Sequence, residues 1–335
     1  MAELGGKRIQ VAGAGALGLA CAFALARAGA LVTVADPAPF ASNASGVAAG
    51  MMSPALECML DKASAGHFQL LEAAKAEWAD FAQAADISID TAGALYVGQP
   101  FAAAKALVEM GAPFEMMADQ DLSERQPALA SGLPGLYLPG EWRIDAGVAL
   151  WALRAACEAL GVRFLHRHAI PGDADLLVAA TGFAHGLAPE LACLSPIKGH
   201  ILRYPDVVLS GPIVRADGAY ISAGADGARV GATMEPGRTD GEIDPEAVVR
   251  LAAYAEVLMP GLTGHRMIAA TGIRATTPDG LPLVGWSSEP NILVAAGARR
   301  NGWLLAPMIA ARITALAAGR EPDPRTAAFD SGRFR

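Results

Sequence analysis

The stretch I-Q-V-A-G-A-G-A-L-G-L-A-C-A-F-A-L-A-R-A-G-A-L-V-T-V-A-D, from Ile9 to Asp36, decides the fold. Ile9 to Ala12 is a short apolar run, read as a strand buried on both faces. Gly13, Gly15 and Gly18 follow in G-x-G-x-x-G spacing, then a helical stretch from Leu19 to Ala28 closed by Gly29. Leu31 to Ala35 is a second apolar strand, and Asp36 ends it. In this setting the first glycine permits a tight turn and the second lets main-chain amides approach a pyrophosphate. The third lets helix and strand pack closely. The helix start offers free amide donors and partial positive charge, while Asp36 suits the ribose hydroxyls of an adenosine and repels a 2′-phosphate. A dinucleotide-binding α/β unit is the expectation; NAD and FAD are not yet distinguished.

Outward from this unit, the 335 residues are 53% hydrophobic and 18% charged, which argues for a substantial core and against extended disorder. The net charge of -8 gives no electrostatic reason to expect nucleic acid or an anionic membrane as partner. No run of about twenty apolar residues marks a membrane span. Met1 to Arg8 lacks the apolar region of a secretory signal. Cys21, Cys58, Cys157 and Cys193 are scattered without C-x-x-C spacing, so a reduced, cytoplasmic protein is expected. The six histidines form no ligand pattern, and no metal is assigned.

Three later segments ask for a cofactor larger than nicotinamide alone would need. A-S-N-A-S-G-V-A-A-G-M-M-S-P, Ala41 to Pro54, reads either as a surface loop or as backbone lying flat against a planar ligand. D-L-L-V-A-A-T-G, Asp175 to Gly182, is an apolar strand ending in Thr181 and Gly182, where another backbone segment meets a nucleotide. The turn Gly297 to Gly302 opens a helix from Trp303 to Ala318 that tolerates Pro307 near its start. Its N-terminus suits an acceptor that turns negative on reduction, such as the N1–C2 carbonyl edge of a flavin. Arg274 and Arg300 stand in T-G-I-R-A-T-T-P-D-G-L-P-L-V-G (Thr271 to Gly285) and A-A-G-A-R-R-N-G-W-L-L-A-P (Ala295 to Pro307). A buried guanidinium is costly without an anion to hold, so the pair suggests a carboxylate substrate.

Taken in order, G-A-G-A-L-G, A-A-G-M-M-S-P, G-H-I-L-R, V-G-A-T-M-E-P-G, G-I-R-A-T-T-P-D-G-L-P-L-V-G and R-N-G-W-L-L-A-P resemble the D-amino-acid oxidase family, and within it the glycine oxidases of thiamine biosynthesis. The resemblance implies FAD, held non-covalently by a discontinuous Rossmann-type domain, and an α/β (α+β overall) architecture whose substrate domain is a mixed, largely antiparallel sheet. Residues 1–85, 143–199 and 269–335 are assigned to the FAD domain, 86–142 and 200–268 to the substrate domain. Carried over by motif, Gly13, Gly15, Ala16, Leu17 and Gly18 lie at the pyrophosphate, Asp36 and Pro37 at the ribose. Ser45, Ala49, Gly50 and Met51 run along the flavin, Ile170 meets adenine through its backbone, and Arg299, Arg300, Asn301, Gly302, Trp303 and Leu304 close over the pyrimidine edge. Arg274 grips the α-carboxylate with two parallel N–H donors, and Tyr220 adds a hydrogen bond. Arg300 steadies the reduced ring or the substrate, and Met51 forms an apolar wall.

The implied activity is oxidation of a small amino acid or secondary amine (glycine, sarcosine or a D-amino acid) by hydride transfer to flavin N5. Oxygen then reoxidises the flavin, giving hydrogen peroxide. Such chemistry needs orientation more than a protein acid or base, and none is named. A dehydrogenase delivering electrons to a quinone or protein, or a non-catalytic flavin binder, are the alternatives; a homo-oligomer is left open. Two departures stand out. Ala298 and Arg299 replace an aromatic or histidine, and the charge at Arg299 either favours a larger or more acidic substrate than glycine or faces solvent. Only Ala169 to Ala174 bridges the strand at Val162–His168 to the next, where relatives carry a small meander. Helices are expected at Ala63–Ala84, Phe101–Met110, Ala146–Leu160 and Pro245–Met259, and strands at Ala94–Gly98 and Ala219–Ala223.

Overall fold

The computed structural model describes residues 3–335; Met1 and Ala2, the start of the first expected segment, lie outside the described residues. Arg8–Ala12 and Leu31–Ala35 pair in parallel, with Val11 opposite Val34. The helix between them runs from Ala16 to Arg27, starting three residues before the apolar stretch because extended Gly15 already caps it. Helix and strand cross so closely that a Cβ on Gly18 would stand 2.0 Å from the Gly13 carbonyl oxygen. Gly13, at φ +106°, leaves no room either: a Cβ there would meet the Ala180 oxygen at 2.3 Å.

These strands belong to a six-stranded sheet in the order Leu283–Trp286, Ile292–Ala296, Leu176–Ala179, Arg8–Ala12, Leu31–Ala35, Arg163–Leu165. All neighbours are parallel except the hairpin of the first two. The 176–179 strand lies directly beside the first strand, so the end of D-L-L-V-A-A-T-G arrives at the glycine turn. Against the first helix pack Ala146–Ala159 and the C-terminal helix Gly302–Ala317. Alanines along the first helix allow that approach, with Ala20 and Ala22 fully buried.

A second sheet of nine strands is largely antiparallel. Its central strand, Ser195–Tyr204, pairs along its length with Ile268–Thr276 and, on the other side, with Ala228–Gly231. Tyr220–Ser222, Ile213–Arg215, Ala94–Val97, Gly135–Leu138 and Glu115–Met117 extend the sheet from there. The expected segment boundaries at 199 and 269 fall inside two of these strands, since a ladder of cross-strand hydrogen bonds holds each strand as one unit. The helix expected over Ala63–Ala84 is instead Phe68–Ala76 followed by Trp78–Ala85. Gly66, at φ +85°, adopts a conformation through which no right-handed helix continues. Ahead of it stands a further helix, Pro54–Leu60, with Pro54 at its first position and Glu57 in its first turn.

Pro307 lies inside the C-terminal helix and has no N–H to give the carbonyl four residues back, that of Trp303. Trp78, fully buried, supplies the missing donor: its indole Nε1–H reaches the Trp303 oxygen at 3.1 Å and the Leu304 oxygen at 3.2 Å. Trp78→Phe should therefore destabilise the fold by about 1–3 kcal/mol, the cost of a buried carbonyl left without a partner. In a Pro307→Ala background the restored helix N–H should shrink that loss, which denaturant melts of the four proteins in the cycle will measure. Equal losses in both backgrounds would assign the effect to packing alone.

Candidate active site

At the first helix the amides of Leu17 and Gly18 have no acceptor among the described residues. Together with the helix dipole they form an anion site at the strand ends. The Ala16 amide is already engaged, donating to Ser45 Oγ at 3.0 Å. Asn43 Oδ1 accepts from the amides of Ser45 and Gly46 and so fixes that serine in place. Asp36 accepts from the Ala14 amide on one oxygen (2.8 Å) and the Ala38 amide on the other (2.9 Å), leaving a lone pair on each. Pro37 beside it is exposed. Thr181 Oγ1 donates to the Ala184 oxygen, and Gly182, at φ +62°, faces open space. Ile170 has main-chain partners of its own. Its N–H donates to Gln10 Oε1 and its carbonyl accepts from the Asp173 amide, so the short 169–174 connection has turned both main-chain groups inward.

Ala41–Pro54 is neither a plain loop nor a flat backbone. Ala44–Val47 forms one helical turn and Met51–Met52 a short strand against Trp142–Arg143. Gly50, at φ +74°, packs where a Cβ would meet the Ile144 oxygen at 2.1 Å. The turn rests on the second sheet at Gly272, where a Cβ would come to 2.9 Å from Val47 Cγ2. Between this segment and the second sheet opens a cavity of about 340 Å³, lined by Ala49, Gly50, Met51, Tyr220, Arg274 and Arg300 among others. The C-terminal helix points its start at the same place: the amides of Gly302, Trp303 and Leu304 have no acceptor among the described residues. Trp303 Nε1 donates to the Ser45 carbonyl, tying that helix to the first glycine turn, while the Leu304 side chain is buried. Asn301 caps the helix and reaches Ser64 Oγ.

The two adjacent arginines are not free cations, contrary to the sequence expectation. Arg300 donates to Glu57 Oε1 at 3.0 Å, and Arg299, in a left-handed conformation at φ +51°, pairs with Asp61 rather than facing solvent. Glu57 lies in the short helix Pro54–Leu60, and Asp61 is the extended residue that caps its C-terminal end. Nothing in the spacing of A-R-R-N announces these partners, which stand more than two hundred residues earlier.

Arg274 is different. It projects from the 268–276 strand over Gly199, where a Cβ would stand 2.3 Å from Nη1. Its polar neighbours are the Thr233 carbonyl at 3.4 Å and Met234 Sδ at 3.7 Å, and no carboxylate pairs with it among the described residues. Burial lowers its pKa, opposed by Tyr220 and Glu57. Tyr220 enters the cavity over Gly231, where a Cβ would collide with its hydroxyl at 2.2 Å. Burial raises the Tyr220 pKa in spite of the arginines around it, so it remains a hydroxyl donor. Among the cavity residues that escape the sequence reading are Glu57, Met234 and Arg215, the last of these the strand partner of Tyr220. Met234 lies in the quoted V-G-A-T-M-E-P-G motif; the other two have no local signal.

A sequence model of the FAD dependent oxidoreductase (DAO) family matches residues 8–316. The chain is 27% identical to a glycine oxidase of Geobacillus kaustophilus, across 97% of this chain and 95% of that protein. The crystal structure of glycine oxidase from Geobacillus kaustophilus superposes with a TM-score of 0.85 at 26% identity, covering 98% of this chain and 99% of that one. A D-amino acid dehydrogenase of Azorhizobium caulinodans is 26% identical over 67% of this chain and 62% of its own length. With the glycine turn, the facing helix starts and the mixed second sheet, the match establishes that this chain belongs to the DAO family of FAD-dependent oxidoreductases.

Proposed function

We propose that the chain is an FAD-dependent oxidase of a small amino acid or secondary amine, with oxygen as the electron acceptor and hydrogen peroxide as product. The observation that carries this reading is Arg274: a guanidinium in a cavity with a hydroxyl beside it and no acid of its own. Leu17 and Gly18 amides would hold the pyrophosphate and Asp36 the ribose, while the Ala44–Met51 wall and the amides of Gly302 to Leu304 would border the ring. The missing Cβ atoms at Gly13 and Gly18 support that fit, since side chains there would push the helix start away from the strand ends. Among the described residues no cysteine or histidine lines the cavity, which supports non-covalent attachment. The six-stranded sheet is the cofactor half in this reading and the nine-stranded sheet the substrate half. Free thiols at all four cysteines support a cytoplasmic setting.

Bound FAD supplies the acceptor for a hydride from the substrate α-carbon. The chain contributes orientation: Arg274 and the Tyr220 hydroxyl bind the carboxylate and so fix which way the α-C–H points. The substrate loses that hydride together with the amine proton, and water hydrolyses the resulting imine to a keto acid and ammonia, or to a primary amine from a secondary one. The only acids among the described residues that line the cavity are Glu57 and Asp217, and neither is needed to move a proton. The likeness to a D-amino acid dehydrogenase supports a second reading, in which a quinone or protein takes the electrons.

Arg274→Ala should raise KM at least about thirtyfold, since losing one partner of a buried charged pair costs about 2 kcal/mol or more. Steady-state kinetics that leave KM unchanged would remove Arg274 from the site. The amine must be neutral to lose hydride, so kcat/KM should climb from pH 6 to pH 10. Tyr220, with its pKa shifted upward, stays protonated through that range and does not cap the climb; a flat profile contradicts the proposal. Stoichiometric peroxide in air marks the oxidase, whereas fast dye reduction with little peroxide marks the dehydrogenase.

A further inference from the structure

We propose that Arg215 binds a second anionic group of the substrate, so that the enzyme prefers amines carrying two carboxylates over glycine. The proposal rests on the reading of Arg274 and Tyr220 as the α-carboxylate anchor and narrows the substrate class of that same site. Arg215 ends the strand Ile213–Arg215 and faces Tyr220 across the antiparallel pair, so both side chains rise on one face of the sheet. Its guanidinium carbon lies 5.7 Å from the centroid of the Tyr220 ring, and it lines the same cavity as Arg274.

The residue is only 6% exposed, and its guanidinium makes no hydrogen bond among the described residues. Nε is buried without an acceptor. Its acidic neighbour, Glu57, stands 3.7 Å away, and the oxygen it approaches already accepts from Arg300 at 3.0 Å. A buried guanidinium held this way is expensive unless an anion completes it. Arg299, the residue whose charge suggested a more acidic substrate from sequence, is neutralised by Asp61, and Arg215 takes over that role.

Charge counting agrees. Arg215, Arg274 and Arg300 line the cavity against Glu57 and Asp217. Asp217 is exposed and accepts from the Tyr96 hydroxyl at 2.8 Å, away from the guanidinium groups. Inside, three cations therefore face one carboxylate. A substrate with one carboxylate neutralises one of the two remaining charges; a dicarboxylate neutralises both. The turn Ala216–Asp217–Gly218–Ala219 between Arg215 and Tyr220 is built mostly of small residues and leaves room for the longer molecule.

The test uses the FAD-loaded enzyme. Anaerobic flavin reduction is measured with iminodiacetate, D-aspartate and D-glutamate against glycine, sarcosine and D-alanine. Binding is measured separately, through the flavin spectrum, with oxydiacetate against methoxyacetate, neither of which has an amine to oxidise. At least one diacid should exceed the best monoacid in kcat/KM by about tenfold or more, the size of one charge-assisted hydrogen bond, and oxydiacetate should bind tighter than methoxyacetate by a similar factor. Arg215→Met should collapse both ratios to within about twofold, and Arg215→Lys should restore part of each. Wild-type enzyme that treats diacids and monoacids alike in both assays overturns this inference and leaves the amine-oxidation reading standing. Failure of both classes to reduce the flavin overturns the two together.

Discussion

The other parts of the structure build on the close crossing of the first helix over the end of the first strand. With the Gly13 oxygen standing where a Gly18 side chain would begin, the helix is drawn onto the sheet, and its unbonded amides emerge beside the strand ends. Ala180 closes on Gly13 from the neighbouring strand, so three main-chain segments meet at one point without side chains between them. The C-terminal helix then docks against the first and adds a second set of free amides. Trp303 and Ser45 are bonded across that junction, and Trp78 repairs the hydrogen bond that Pro307 removes. Two helix starts from opposite ends of the chain are thereby tied together through Ser45, with the C-terminal one at the cavity.

On the other side the governing quantity is charge. Buried guanidinium groups must be matched, and one short helix with its C-cap matches two of them. Glu57 and Asp61 meet Arg300 and Arg299. Arg274 and Arg215 are left on the nine-stranded sheet, neither hydrogen-bonded to a carboxylate. The cavity thus meets the segment Ala44–Met51 and the C-terminal helix start through small residues and amides, and the nine-stranded sheet through positive charge. Such a polarity is what the proposed orientation of an acid substrate requires.

Much of this was legible in the chain. Strand, glycine turn, helix and second strand from Ile9 to Asp36 are governed by neighbours in sequence: hydrophobic runs of fixed period, glycine where φ is positive or a Cβ would clash, and an acid after the strand. Helices such as Ala146–Ala159 and Pro245–Leu258 start at the expected residue, since Asp145 and Asp244 cap their N-termini locally, and they end within a residue of the expected position. Where local pattern and local geometry conflict, the reading fails. Apolar spacing ran a helix from Ala63 through Gly66, and no window of sequence marks Pro54–Leu60 as the helix that carries the acids.

Sequence by itself determined the dinucleotide unit and the order of motifs, because each depends on residues a few positions apart. Only the tertiary structure decided which guanidinium groups are neutralised. Arg300 finds its acid 243 residues away, and Ile170 finds Gln10 160 residues away. Such pairings follow from how sheets and helices stack, and a charge carries no mark in sequence of the partner that burial will bring to it.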